Sequence, residues 1–203
     1  MNKEFKTIFL DVGGVLLTNG WDRKERKKAA EYFQLDIDEM DSLHQFIFSV
    51  YEIGKITLNQ YLDFVVFTKP RPFTHQQFSE YMFEQSEQLP DLLPWLIEWK
   101  KETGTRIYSI NNEGKELNDH RIKKFELKKV FNGFISSCEV GLAKPNPDIF
   151  KLALGIAQSN AEDSMYFDDR PMMAAAAGSM GIQAHVHQSF EKTKSILENF
   201  IRI

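Results

Sequence analysis

Short, almost wholly apolar runs alternate with amphipathic stretches along most of the chain. The first run, Thr7-Ile8-Phe9-Leu10, ends at Asp11-Val12-Gly13-Gly14. Four more follow: Arg106-Ile107-Tyr108-Ser109-Ile110, Phe131 to Ser136, Met165-Tyr166-Phe167, and Ile182 to Val186. Runs this short and this uniformly apolar suit strands covered on both faces, as in parallel sheets. Helical patterns fill the intervals between the last four runs, at Lys115 to Phe125, Asp148 to Ala157 and Pro171 to Met180. The alternation predicts an α/β fold built on a doubly wound, Rossmann-like parallel sheet, in which ligands collect at the carboxyl ends of the strands.

The interval between the first two runs breaks the pattern. Residues 17–88 supply no comparable buried strand. Apolar residues recur there at helical spacing: Ala29, Ala30, Tyr32, Phe33; Leu43, Phe46, Ile47, Val50, Tyr51; Tyr61, Leu62, Phe64, Val65; and Phe78, Tyr81, Met82. Three or four amphipathic helices are expected, broken at Gly54 and at Pro70-Arg71-Pro72. The expected division is therefore an α/β core of residues 1–16 and 89–203 and a small all-helical cap of residues 17–88.

Composition narrows the function classes. The 203 residues carry a formal charge of −4, which offers nucleic acid no basic surface. The one basic cluster, Arg23, Lys24, Arg26, Lys27 and Lys28, is interrupted by Glu25 and reads as a solvated helix face. A single cysteine, Cys138, cannot close an intramolecular disulfide, and it is expected to pack near the third strand. Lys3 and Lys6 ahead of Thr7 to Leu10 suggest a secretory signal, but Asp11 falls within the apolar run and Gly13-Gly14 follow. A cytoplasmic protein with no membrane or nucleic-acid partner, as monomer or homodimer, is the expectation.

Polar residues cluster where the strands are expected to end. Asp11 terminates the first, Asn111-Asn112 the second and Asp168-Asp169 the fourth, while Lys144 follows the third. A lone Asp at a strand end is commonly a turn residue or a helix cap. Asp168 to Pro171 and Lys144 to Asp148 each fit such turns on their own. Independent turns, however, do not require this order around a single sheet edge. Carboxylates gathered there repel one another unless a cation joins them, and a few hard oxygen ligands suit Mg²⁺. Lys144 adds fixed positive charge, and Gly13-Gly14 let backbone N–H groups approach an anion closely. Together these residues point to phosphoryl transfer with a carboxylate nucleophile.

The motifs resemble those of the haloacid dehalogenase superfamily, mostly phosphatases, over nearly the whole chain. Phe9-Leu10-Asp11-Val12-Gly13-Gly14-Val15-Leu16 is similar to its first motif and Ile110-Asn111-Asn112 to its second. Gly141-Leu142-Ala143-Lys144-Pro145-Asn146-Pro147 resembles the third and Phe167-Asp168-Asp169-Arg170 the fourth. The helical insertion falls where one type of family cap belongs. The resemblance implies that Asp11 attacks phosphorus and forms an aspartyl-phosphate, which water hydrolyses. It implies Mg²⁺ held by Asp11, the Gly13 carbonyl and Asp169, with Asp168 bound directly or through water. It also implies that Asn111 and Asn112 bind phosphoryl oxygens and that Lys144 orients Asp11.

The chain departs from the family pattern in three places. Gly13 stands where most family phosphatases carry a second Asp as general acid and base, and loss of such a group costs about 10²–10⁴-fold in rate. Asn111 replaces the usual Ser or Thr, and Met172-Met173 occupy positions where a polar Asn is common. Three functions are therefore weighed: a Mg²⁺-dependent phosphatase of a small metabolite, a binding protein on a weakened hydrolase fold, and a 2-haloacid dehalogenase. The acidic pair at Asp168-Asp169 speaks against the last. Trp21, Asp22, Arg23, His44 and Tyr51 are candidates for substrate contact from the cap. Core packing is the competing expectation for the stripe His44, Ile47, Phe48 and Tyr51, and solvation for Arg23.

Overall fold

The computed structural model describes residues 6–202, so Lys3 lies outside the described residues. The first run forms β1 (Thr7–Leu10), buried along its whole length and paired in parallel on both sides. Four helices follow: α1 (Arg23–Phe33), α2 (Ile37–Glu52), α3 (Leu58–Val65) and α4 (His75–Glu84). The chain then alternates through α5 (Leu92–Thr103), β2 (Arg106–Asn111), α6 (Lys115–Lys124), β3 (Gly133–Ser136), α7 (Ser137–Val140) and α8 (Pro147–Ala157). It ends with β4 (Ser164–Asp168), α9 (Pro171–Gly178), β5 (Gln183–Val186) and α10 (Phe190–Arg202).

The strands form one parallel sheet in the order β3-β2-β1-β4-β5. The winding reverses between β1 and β4, so the crevice at their carboxyl ends is the topological switch point where such sheets bind ligands. Leu10 pairs with Phe167 across that junction, which places Asp11 beside Asp168. Alternation along β1 sends Ile8 and Leu10 to one face, against Leu96, Trp99 and Leu197 of α5 and α10. Phe9 faces the other side, in a cluster with Ile149 and Phe150 of α8 and Ala177 of α9.

Local chemistry sets the helix starts. Asp22 and Asp36 cap α1 and α2, while Thr57 with Gln60 and Thr74 with Gln77 form capping boxes on α3 and α4. Helices α1 to α4 bury their own cluster, with Trp21, Met40, Tyr51, Tyr61 and Phe78, joined by Leu117 of α6. The chain leaves and re-enters the sheet layer side by side: Leu17 bridges Gln88, Thr18 N–H donates to Glu87 O at 2.8 Å, and Leu89 N–H donates to Leu16 O at 2.9 Å.

Several boundaries differ from expectation. β3 begins at Gly133 rather than Phe131, because the Asn132 side-chain oxygen takes the Ile107 N–H at 3.0 Å and replaces a ladder bond there. Helix α9 stops at Gly178 instead of reaching Met180. Helices α5 and α10 are not among the expected elements, yet both pack against one face of the sheet, beside Ile122 of α6 and Leu127, Val130 and Phe131.

Candidate active site

Asp11, directly after β1, lies against the ammonium of Lys144, with Nζ 3.0 Å from Oδ1. The same nitrogen is 2.8 Å from Asp168 Oδ2 and 2.9 Å from the Tyr166 hydroxyl, which itself donates to Asp168 Oδ2. All three ammonium protons are thereby engaged, and the Lys144 side chain is only 3% exposed. The Asn112 amide holds the lysine backbone at both ends: Nδ2 donates to Lys144 O at 2.9 Å and Oδ1 accepts from Lys144 N–H at 2.8 Å. Asp168 Oδ1 also accepts the Arg170 N–H at 2.9 Å, turning the chain toward α9.

Burial pushes the Asp11 carboxyl up to about 6, opposed by Lys144 and reinforced by the charge of Asp168. Burial and Asp168 likewise raise Asp169. One ligand oxygen from each of Asp11, Asp168 and Asp169 falls within 4.8 Å of the others. The Asp169 Oδ1 atom is buried without a hydrogen-bond partner, as expected of an oxygen that meets a cation. Gly14 backs this group at φ +68°, and a Cβ there would lie 2.1 Å from Asp169 Oδ2. Three acidic oxygen donors with no nitrogen or sulfur among them fit a hard divalent cation.

Asn111 ends β2 in a buried polar network. Its Oδ1 accepts from the hydroxyls of Ser109 at 3.1 Å and Ser136 at 3.0 Å, and its Nδ2 donates to Asn118 Oδ1 at 3.1 Å. One amide proton remains for a ligand, and Asn111, Asn112, Gly13 and Lys144 all line a single cavity.

That cavity, about 270 Å³, separates the sheet edge from α1 and α2. Trp21, Asp22, Arg23 and His44 line it as candidates, whereas Tyr51 is buried behind them and stacked on Tyr61 at 5.0 Å. Trp21 Nε1–H donates to the Tyr61 hydroxyl at 3.0 Å. The same hydroxyl lies 2.8 Å from His44 Nδ1, within hydrogen-bond distance. Burial, aided by the Arg26 charge, lowers His44 to about 4, so the ring is neutral.

The basic run is not uniformly solvated. Arg26 is buried, with Nε 2.7 Å from Asp41 Oδ1 and Nη1 2.9 Å from Trp21 O. Arg23 remains largely exposed, but its Nε reaches the other Asp41 oxygen at 2.8 Å. The local run gives no sign of Asp41, which the packing of α2 against α1 brings to it.

Polar lining residues not singled out as site residues from the sequence are Asn19, Arg26, Glu52, Glu113, Arg121 and Arg170. Glu113 and Arg121 form a buried ion pair. Glu52 extends the series His44, Phe48, Glu52 at fourfold spacing along one face of α2, and that periodicity was available in the sequence. Met173 also lines the cavity, whereas Met172 is exposed. Cys138 lies in α7, just after β3, half-buried, and burial pushes its thiol up to about 12.

Fold and site define a doubly wound α/β protein with acidic residues gathered at the switch point of its parallel sheet. The model of the haloacid dehalogenase-like hydrolases matches residues 5–181, and the chain belongs to that family. No curated protein matches its sequence. Among solved structures, a HAD family enzyme from Bacteroides thetaiotaomicron is similar with a TM-score of 0.81 at 22% identity, covering 95% of this chain and 98% of that one. A second structure of that enzyme, in complex with magnesium and inorganic phosphate, gives 0.77 at 22% identity over 91% and 94%. A defluorinating L-2-haloacid dehalogenase gives 0.62 at 19% identity, covering 88% of this chain and 79% of its own. At these identities the likeness is one of fold. Among the described residues, no helix is long and apolar enough to cross a membrane.

Proposed function

We propose that the protein is a magnesium-dependent phosphomonoesterase acting on a small phosphorylated metabolite. The observation that carries this reading is the carboxylate cluster Asp11, Asp168 and Asp169 with Lys144 bonded into it. In this scheme Asp11 attacks phosphorus, the ester oxygen leaves, and water then releases phosphate from the aspartyl-phosphate. Lys144 fixes the Asp11 carboxylate and offsets its charge. Asn112 positions Lys144 through the backbone, and Asn111 offers its remaining amide proton to a phosphoryl oxygen.

Asp11, Asp169 and the Gly13 carbonyl would hold Mg²⁺, with Asp168 directly or through water; Gly14 N–H, expected from the sequence to meet the anion, donates instead to Leu17 O at 2.7 Å. When bound, the cation neutralises charge on the phosphoryl oxygens and on the carboxylates. Asp168, already engaged by Lys144, Tyr166 and Arg170 N–H, sets the charge behind Asp11. The four-helix layer serves as the cap that selects the substrate.

Gly13 supports a second reading, a protein that binds a phosphorylated ligand with little or no turnover. A panel of phosphate esters with Mg²⁺, run beside Asp11→Asn, separates the two. Phosphate release by the wild type, abolished in the variant and by EDTA, supports the phosphatase. Release that survives Asp11→Asn, or none from any ester, overturns it.

A further inference from the structure

The cavity contains more carboxylates than nucleophilic attack and metal binding use. Asp11 is the nucleophile of the scheme above, and Asp168 is held by Lys144, Tyr166 and Arg170 N–H. Asp22 caps α1 through the N–H groups of Lys24 and Glu25, and Glu113 is paired with Arg121. Each of these has a committed partner. Glu52, on the last turn of α2, has no ion pair among the described residues. Its one side-chain contact is weak, from Asn112 Nδ2 to Oε2 at 3.4 Å. That same Nδ2 donates to the Lys144 carbonyl, and Lys144 Nζ is bonded to Asp11. The carboxyl and the nucleophile line the same cavity, Glu52 from α2 and Asp11 from the end of β1.

The opposite wall has a deficit. Gly13, two positions beyond Asp11, has no side chain to exchange a proton with the leaving oxygen or with water. We propose that Glu52 performs the proton transfer that Gly13 cannot, so that the acid and base of the reaction comes from the helical layer and not from the strand end. In the first half-reaction Asp11 Oδ bonds to phosphorus, the bond from phosphorus to the ester oxygen breaks, and the Glu52 carboxylic acid gives its proton to that oxygen. An alcohol departs and Glu52 is ionised. In the second, Glu52 takes a proton from water as the water oxygen bonds to phosphorus and the bond to Asp11 breaks. Asp11 is regenerated as carboxylate and Glu52 as acid.

The electrostatics suit both directions. Burial, and the like charge of Glu113 after β2, push Glu52 up to about 7. Arg170 after β4 and Lys144 after α7 pull it down, and Asp11 after β1 adds to the rise. A group that titrates near the working pH both donates and accepts.

This inference rests on the phosphatase reading, and the test keeps the two apart. Wild type, Asp11→Asn, Glu52→Gln and Glu52→Gln with Gly13→Asp are assayed with Mg²⁺ on glycerol phosphate and on p-nitrophenyl phosphate. Nitrophenolate leaves without a proton, whereas the alkoxide of glycerol requires one. Glu52→Gln is expected to lower kcat/KM on glycerol phosphate by about 10²–10⁴-fold and to leave it within about tenfold on the nitrophenyl ester. Gly13→Asp is expected to restore much of the loss, since the one close atom its Cβ would meet is the side-chain Oδ1 of Asn19, at 3.0 Å, with the Asn19 Cα at an ordinary 3.8 Å.

An equal loss on both esters, or a change confined to KM, makes Glu52 a binding group and overturns the proposal, as does no loss at all. If the wild type releases phosphate from neither ester, or Asp11→Asn remains active, the phosphatase reading itself fails. Should Glu52→Gln not fold, the wild-type pH profile decides. An alkaline limb in kcat/KM near 7 on glycerol phosphate, absent on the nitrophenyl ester, supports the assignment, and identical limbs on the two overturn it.

Discussion

Replacing Lys144 by Met keeps the length of the side chain and removes its charge. The ammonium touches Asp11 at 3.0 Å, Asp168 at 2.8 Å and the Tyr166 hydroxyl at 2.9 Å. Asp168 is fully buried and Asp11 nearly so, so the substitution leaves two carboxylates without their counter-charge. Stripping one partner from a buried ion pair costs about 3–5 kcal/mol. In a chain of this size about 1 kcal/mol moves the thermal midpoint by about 2–4 °C, so the drop should be about 6–20 °C.

The deficit should depend on pH with a definite sign. Asp11 already titrates near 6 with the lysine in place, and burial without it lifts the carboxyl further. A carboxyl raised by folding takes up a proton more readily in the native state, so its contribution is retained at low pH and lost as pH rises through the folded value. The variant should therefore lie furthest below wild type near pH 8 and approach it near pH 5.5. Differential scanning fluorimetry in EDTA at both pH values measures this. A drop below about 2 °C at pH 8, the size expected of an exposed substitution, or an equal drop at both pH values, would refute the reasoning.

Two further substitutions test other parts of the site. Gly14→Ala places a Cβ at φ +68° and 2.1 Å from Asp169 Oδ2. It should cost about 1–2 kcal/mol in backbone strain and displace the Asp169 carboxylate, so that Mg²⁺ titration raises the thermal midpoint less than in wild type. His44 is lowered to about 4 by burial, so its stabilising contribution is complete above its ordinary value of 6.5 and lost as pH falls through about 4. His44→Gln should flatten that acid-side loss, and a series of thermal midpoints from pH 7.5 down to 4.5 would detect no flattening if the ring were solvated.

The legible parts of the fold are those in which a local pattern has one meaning. Thr7 to Leu10 is too short and too apolar to be anything but a strand covered on both faces, and the Asp11 that follows it must lie at the sheet edge. Helix α5 is harder, because Pro94 interrupts its pattern; the proline falls in the first turn, where no intrahelical N–H is required. Helix α10 follows the last strand, where no crossover demands a helix. The paired residues of the site were visible only in part. Asp168 and Lys144 lie in motifs, but Arg26 looks solvated until Asp41, fifteen residues later, folds onto it. Glu113 and Arg121 have ordinary surface residue types, and their burial depends on the helical layer above them.

The antiparallel bridge between Leu17 and Gln88 bears on how such a chain can vary. The seventy or so residues between them start and finish at one spot, so their length has no bearing on where β1 sits. Loop entropy grows only slowly with length, by about 0.6 kcal/mol for each doubling, and the excursion begins and ends already fastened to itself. It is therefore a graft point. Whatever is spliced in above Leu16 and Leu89 inherits the same acidic edge, while every group that faces that edge from the helical layer, Glu52 among them, is exchanged with the insertion.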